Sequence, residues 1–352
     1  MSVSIITMRT LKLLLFTILI STQGLFSQTV NDNRHEITIY FTSSVSPINW
    51  TNPSVLFKST NKCYINAAFK KNFYVIGHTQ AIVNSTLLPA SKYTAMTGAI
   101  QSEKVDLVLN KKVGFGALGS TIHGKMESEE RIKKGIALYA NRNKVSYIKF
   151  RINAEAATRI LEFIDYYSRK NSYGFAPCEY YNGALWPRYE HEGSGCSAYG
   201  ISLLDIANLL PLESKDWYVD VNVPMELIGG EFNNKKKIKF STIFRTKSWH
   251  NGNGKEGVDY VNYKVFDPSI IHEWILNRRS QNDSIFQREE ENGVPGLVID
   301  RRNVTFDVND SVLKHRTDTT LFAKHYYEYI RKLKNKFENL KSLRVSPLLP
   351  VL

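Results

Sequence analysis

The sequence predicts an α+β fold, and three observations carry that reading. Apolar segments with strand patterning recur at 36–41, 73–83 and 145–152, a capped amphipathic helix follows the last of them, and a second, apolar helix opens at Cys196. The expected sheet is antiparallel with helices packed on it, and the chain beyond residue 212 is expected to be a mixed extension.

In chain order, EITIYF at 36–41 reads as the first strand. The next stretch, SSVSPINWTNPSVLFKST, carries Pro47 and Pro53 and reads as an irregular loop bordering a cleft. Residues 73–83 (FYVIGHTQAIV) form a strand interrupted at Gly77 and His78, with partner strands expected at 93–101 and 104–109. Gly114, Gly116, Gly119 and Gly124 then mark a turning loop. Its GxGxxG spacing is followed by no helix, as a dinucleotide site would require, so none is expected.

VSYIKFRI at 145–152 alternates as a strand, and Asn153 caps a helix over 154–169 with Ala157, Ile160, Leu161, Ile164 and Tyr167 on one face. An aromatic, charged and glycine-bearing loop covers 173–195. The helix from Cys196 runs to about Leu210 and is stopped by Pro211. Strands are expected at 217–223 and 237–244, a short helix at 268–277, and a charged, weakly structured segment at 278–292. A basic amphipathic helix over 319–343 either packs back on the fold or lies on a membrane surface. The division that follows is a signal segment at 1–27, a core at 28–212, a β-rich extension at 213–300 and a C-terminal region at 301–352.

Composition narrows the function classes. With 43% hydrophobic and 22% charged residues, the 352-residue chain can bury a full core. Lys+Arg 46 against Asp+Glu 33 gives a net charge of +13, suited to an anionic envelope polymer or a membrane partner. No zinc-finger spacing, RNP-type strand or basic tract is present, so nucleic acid is not an expected partner. From Met8, MRTLK, LLLFTILI and STQGLFSQ have the layout of a secretory signal without a lipid-modified cysteine, which predicts a secreted or periplasmic protein. Three cysteines, Cys63, Cys178 and Cys196, cannot all pair within the chain, and a Cys63–Cys178 bridge would leave Cys196 free.

Cys196 stands where a thiol nucleophile is best placed. At a helix start it meets free N–H groups and the positive end of the dipole, which favour thiolate. Gly193 and Gly195 in GSGC clear space for a substrate and leave donors for an oxyanion. Among eight histidines, His78 is set in an apolar strand, and His191 lies five residues before the thiol. The other six read as loop or surface residues. No metal-ligand spacing occurs, and no cofactor is expected.

A histidine in GHxxxxV form on an early strand (Gly77 to Val83), followed much later by a cysteine opening a helix as Cys196-Ser197, resembles the circularly permuted branch of the NlpC/P60 papain-like superfamily. The resemblance covers about residues 36–210. It implies a papain-like antiparallel sheet with packed helices, His78 as base and Cys196 as nucleophile. A third polar residue on the strand after the histidine is also implied; Thr97 and Gln101 lie there and Glu103 just beyond, with Gln101 the candidate. Trp186, Arg188, Tyr189 and Glu190 of LWPRYE would flank the entrance, Arg188 pairing a substrate carboxylate, and Gly195 would face the substrate. The expectation is a cysteine hydrolase acting on a peptide or acyl substrate, with cell-wall peptides suggested by analogy. Its rival is a non-catalytic envelope protein.

Overall fold

Side-chain alternation on the first strand decides both faces of the main sheet. In β1 (His35–Thr42), Ile37, Ile39 and Phe41 are fully buried on one face, while Tyr40 joins an aromatic cluster on the other. β1 is flanked by β2 (His78–Ser85) and β6 (Val145–Ile152), both antiparallel to it, and β3 (Lys92–Thr94) extends the sheet beyond β2. On the other side β11 (Val294–Arg301) runs parallel to β6, and β10 (Gln287–Glu291) closes the edge in a hairpin with β11. The computed structural model describes residues 34–344 apart from 70, 71, 282, 308, 318 and 319, with side chains to 338. The proposed signal segment at 1–27 lies outside the described residues.

The fold is mixed α+β, with the helices packed on that sheet. Helix α4 (Ala154–Ser168) starts where the Asn153 side chain accepts from Ala156 N–H, and it buries Ile160, Phe163, Ile164 and Tyr167. With α5 (Cys196–Ile206) and α7 (Pro268–Ser280) it covers the Ile37 face. Helix α3 (Glu129–Ala140) covers the opposite face through Tyr139. A second sheet joins β4 (Met96–Gly98), β5 (Ile122–Met126) and β7 (Tyr180–Tyr181), and a ribbon pairs β8 (Tyr218–Pro224) with β9 (Tyr260–Phe266).

Several expectations are corrected. The main sheet is not wholly antiparallel, because β11 returns through a long connection and joins β6 in parallel. It draws on residues from both sides of position 212, which therefore does not end a self-contained sheet. The expected loop at 53 is helix α1 (Pro53–Ala68), whose Asn52 cap accepts from Val55 N–H; Pro53 occupies the first helical turn, where a missing N–H costs nothing. The expected strand at 73–83 begins only at His78. The one at 93–101 is split between two sheets by β3 and β4. Residues 104–109 are helical, in α2 (Gln101–Val105) and the π-turn Asp106–Asn110. The expected strand at 237–244 gives way to α6 (Phe240–Arg245).

Helix α8 (Leu321–Arg344) packs back on the fold, burying Phe322, Ala323, Tyr326 and Ile330. With the segment before it, α8 clamps the loop that leads to Cys196. The Tyr326 hydroxyl donates to the His191 carbonyl (2.5 Å) and accepts from Gly193 N–H (3.0 Å). Glu192, fully buried, accepts from Arg316 Nε (2.6 Å), the Tyr327 hydroxyl (2.9 Å) and Trp186 N–H (2.9 Å). Arg188, only 4% exposed, pairs with Asp310 (2.6 Å) and Asp205 (3.1 Å).

Removing the guanidinium should therefore loosen the whole loop. Arg188→Met is expected to lower unfolding free energy by about 2 kcal/mol, less than the roughly 3–5 kcal/mol of a fully buried pair because both carboxylates keep contact with water. Urea denaturation of the two proteins checks this; equal midpoints would remove the clamp from the stability of the fold.

Candidate active site

Helix α5 begins at Cys196 because Gly195, extended at φ −79°, accepts the first helical bond from Tyr199 N–H (3.0 Å) on its carbonyl. A glycine there supplies no side-chain cap, so the donors of the first turn stay available around the sulfur. The helix is buried along its length, from Tyr199 through Leu204 to Ile206, which fixes the position of its first residue. Cys196 is itself half-buried and reachable, whereas Cys63 and Cys178 are buried. All three are free thiols.

α5 packs on β2, and the first residue of β2 is His78. Its ring lies flat against Tyr74, with centroids 3.7 Å apart and planes inclined by 15°. Nε2 of His78 donates to Oε2 of Glu127 at 3.2 Å, which leaves Nδ1 as the ring nitrogen for the thiol. Glu127 directly follows β5 and has a fully buried side chain. Besides His78 it accepts from the Tyr74 hydroxyl (2.7 Å) and from Arg131 Nε (2.7 Å) on α3. Gln80 in turn donates to the Tyr74 hydroxyl (2.7 Å). Tyr181 on β7 directs its hydroxyl at the Cys196 sulfur from 3.9 Å, and the Lys104 ammonium sits 4.5 Å over the Tyr181 ring.

The electrostatics follow from this packing. Burial opposes charge on Glu127, but its bonds to His78, Tyr74 and Arg131 outweigh that and hold it down to about 2. Burial likewise opposes the imidazolium of His78, yet the Cys196 thiolate and Glu127 raise it to about 9. For Cys196, desolvation is overcome by the charge and hydrogen bond of His78, by the Tyr181 hydroxyl and by Lys104, and the thiol falls below its ordinary value. Burial pushes the other two thiols the opposite way, Cys178 up to about 11. Of the three thiols, only Cys196 is thus shifted toward a thiolate–imidazolium pair.

Two cavities meet at this sulfur. The larger, about 660 Å³, has apolar walls from Leu56 and Phe57 of α1, Phe115, Leu118, Ile243 of α6 and Val265 of β9. The smaller, about 250 Å³, is lined by His78, Thr97, Gln101, Lys104, Lys125 and Arg131. Cys196, Tyr181 and Lys104 face both.

Cys196 and His78 are thus brought together as the sequence suggested, and Gly195 lines the apolar cavity. Gln101 is not the orienting residue: it opens the exposed turn α2, and Glu127 takes that role. Nor does LWPRYE flank the entrance. Trp186 packs on Phe266 (5.8 Å between ring centroids), Arg188 is locked in its ion pairs, the Arg316 guanidinium lies 4.1 Å over Tyr189, and Glu190 N–H donates to the Lys314 carbonyl (3.1 Å). Gly193 serves packing, since a Cβ there would lie 2.0 Å from the Tyr180 carbonyl. His35 and His272, read as surface residues, are buried against Ser85 and Ser146. Among the described residues, no group of three or more His, Cys, Asp or Glu is placed to hold a metal ion.

Compared with family models, curated proteins and solved structures, the chain matches none.

The pair has a direct signature. Alkylation of Cys196 by iodoacetamide should show a thiolate midpoint below the 8.5 of a free cysteine. Glu127→Gln removes the charge that favours imidazolium, so the midpoint should rise by about one unit. A midpoint at 8.5 in the native protein, or one unmoved by Glu127→Gln, would break the coupling.

Proposed function

We propose that this protein is a thiol-dependent acyl hydrolase whose substrates carry a long apolar acyl group joined by an amide or ester bond. The observation that carries this reading is a Cys196–His78–Glu127 chain opening on a cavity of about 660 Å³ with apolar walls. Such a pocket suits hydrocarbon. A cell-wall peptide would leave its amide groups unbonded against those walls, at a cost per group that favours the acyl substrate over the peptide.

In this mechanism the Cys196 thiolate attacks the carbonyl carbon, a C–S bond forms, and the carbonyl electron pair moves to oxygen. N–H groups at the start of α5 stabilise that oxyanion. The His78 imidazolium gives its proton to the leaving nitrogen or oxygen as the bond to carbon breaks, which leaves a thioester. Water, losing its proton to His78, then attacks the thioester, and the thiolate departs from the released carboxylic acid. Glu127 keeps the ring oriented and stabilises its charged form.

The order of a strand histidine before a helix cysteine supports a papain-like reading of the permuted kind, and the basic head and apolar run of residues 8–28 support a secreted or periplasmic location. Four apolar residues of the cavity wall, Ile65 (60% exposed), Ile76, Val105 and Leu109, are also partly open to solvent. They offer a hydrocarbon chain an apolar way in, consistent with substrate drawn from a lipid aggregate or membrane surface.

Turnover of acyl 4-nitrophenyl esters should rise with chain length by about fourfold per methylene, the equivalent of ~0.8 kcal/mol, until the cavity is full. Cys196→Ala and His78→Ala should each abolish it. With an acyl amide, whose amine cannot leave without a proton from the imidazolium, kcat/KM should fall as pH rises through about 9, because His78 carries that proton below this value and loses it above. Turnover that survives Cys196→Ala, or that prefers acetyl to decanoyl, would defeat the proposal.

A further inference from the structure

The two cavities are chemically opposite, and the position of His78 decides which half of a substrate each can take. The proton received by the leaving atom comes from His78, so that atom must lie on the histidine side of the sulfur. His78 lines the small cavity and not the large one. The acyl chain therefore points into the apolar cavity, and the leaving half enters the polar one.

That polar cavity is basic. Arg131 is compensated by Glu127, but among the described residues neither Lys104 nor Lys125 forms an ion pair with a carboxylate. Lys125 lies opposite Thr97 in the β4–β5 pairing and faces the cavity. Lys104 reaches inward across Gly98, where an added Cβ would come within 3.2 Å of its Cε. Gly98 thus keeps open the path of the lysine chain. Before reaction the Cys196 thiolate offsets the Lys104 charge; on attack that charge passes to the carbonyl oxygen, and once the neutral thioester has formed the ammonium has lost this partner.

Resting on the reading of Cys196 as nucleophile, we infer that the leaving half of the substrate bears an anionic headgroup, carboxylate or phosphate, held by Lys104 and Lys125. The substrate class is then an acyl amphiphile with a negatively charged amine or alcohol head. The two lysines grip the head while the bond beside it breaks, and the head departs protonated at the atom that left carbon.

The test uses the full chain and three lauroyl amides: N-lauroylethanolamine (neutral), N-lauroylglycine (carboxylate) and N-lauroyl-phosphoethanolamine (phosphate). Binding to Cys196→Ala by titration calorimetry reads the head site without chemistry, and laurate release by the native protein reads turnover. At least one anionic amide should bind about tenfold more tightly than the neutral one, as expected for a charge-assisted contact, and the better of the two identifies the head. Lys125→Glu should erase most of that preference and Lys125→Arg should keep it. Equal affinity for all three amides, or a preference untouched by Lys125→Glu, overturns the inference. If the head preference holds but native protein releases no laurate, the hydrolase reading fails and the anionic-head site stands.

Discussion

A buried carboxylate constrains the site more than any other group. With its side chain out of water, Glu127 can keep its charge only if its oxygens are met by donors, and Tyr74 from the loop before β2, His78 from the start of β2 and Arg131 from α3 meet them. Those bonds tie the end of β5 to the start of β2 and to the first turns of α3, and Tyr74 stacks on the ring that its hydroxyl helps to orient. The imidazole is thus held by its plane and by one nitrogen, leaving the other for sulfur. A neutral residue in place of Glu127 would remove one of the two charges that favour the imidazolium, and weaken the thiolate with it.

The other half of the site is held by a different device. The loop before Cys196 is rich in charges and aromatics, and two of the charges, Arg188 and Glu192, face inward. Glu192 and Arg188 are buried ions whose partners come from the segment ahead of α8 and from α5 itself. Such pairs give little net stability compared with apolar packing, but a misplaced loop would leave an uncompensated charge in the interior. The strap therefore selects one loop position, which sets where the helix starts and how its free N–H groups are aimed.

The parts of the fold visible in the sequence are those whose local pattern agrees with their tertiary role. β6 and α4 were legible to within a residue because alternation, the Asn153 cap and the apolar face of the helix all point the same way. Helix α1 was hidden by Pro53, a breaker in the interior of a helix but a good first residue. β11 was hidden by Pro295 and Gly296, although it adds a strand to the main sheet. Cys196 and His78 were legible as a thiol at a helix start and a lone histidine in an apolar strand. Glu127 was not: in MESEE it precedes the Ser128 cap of α3, where acidic residues ordinarily serve the helix dipole. Only the fold turns it toward His78 rather than toward its own helix. Arg188 misled for the converse reason, since an arginine among the aromatics of LWPRYE looks the same in sequence whether it meets a substrate carboxylate or Asp310.

In the hydrolysis we propose, the placement of the two cavities also assigns the path of water. Hydrolysis needs a water molecule that reaches the thioester from the side of His78, because that ring must take its proton. The large cavity is a poor source: filled by a hydrocarbon chain it would exclude water, and most of its wall is apolar. The polar cavity can, through Thr97, Gln101 and the lysines, but only after the first product has left it. On that proposal one compartment serves in turn as the seat of the leaving group and as the entry for water. In the proposed reaction, release of the head and not cleavage would then be the event that opens the acyl-enzyme to hydrolysis.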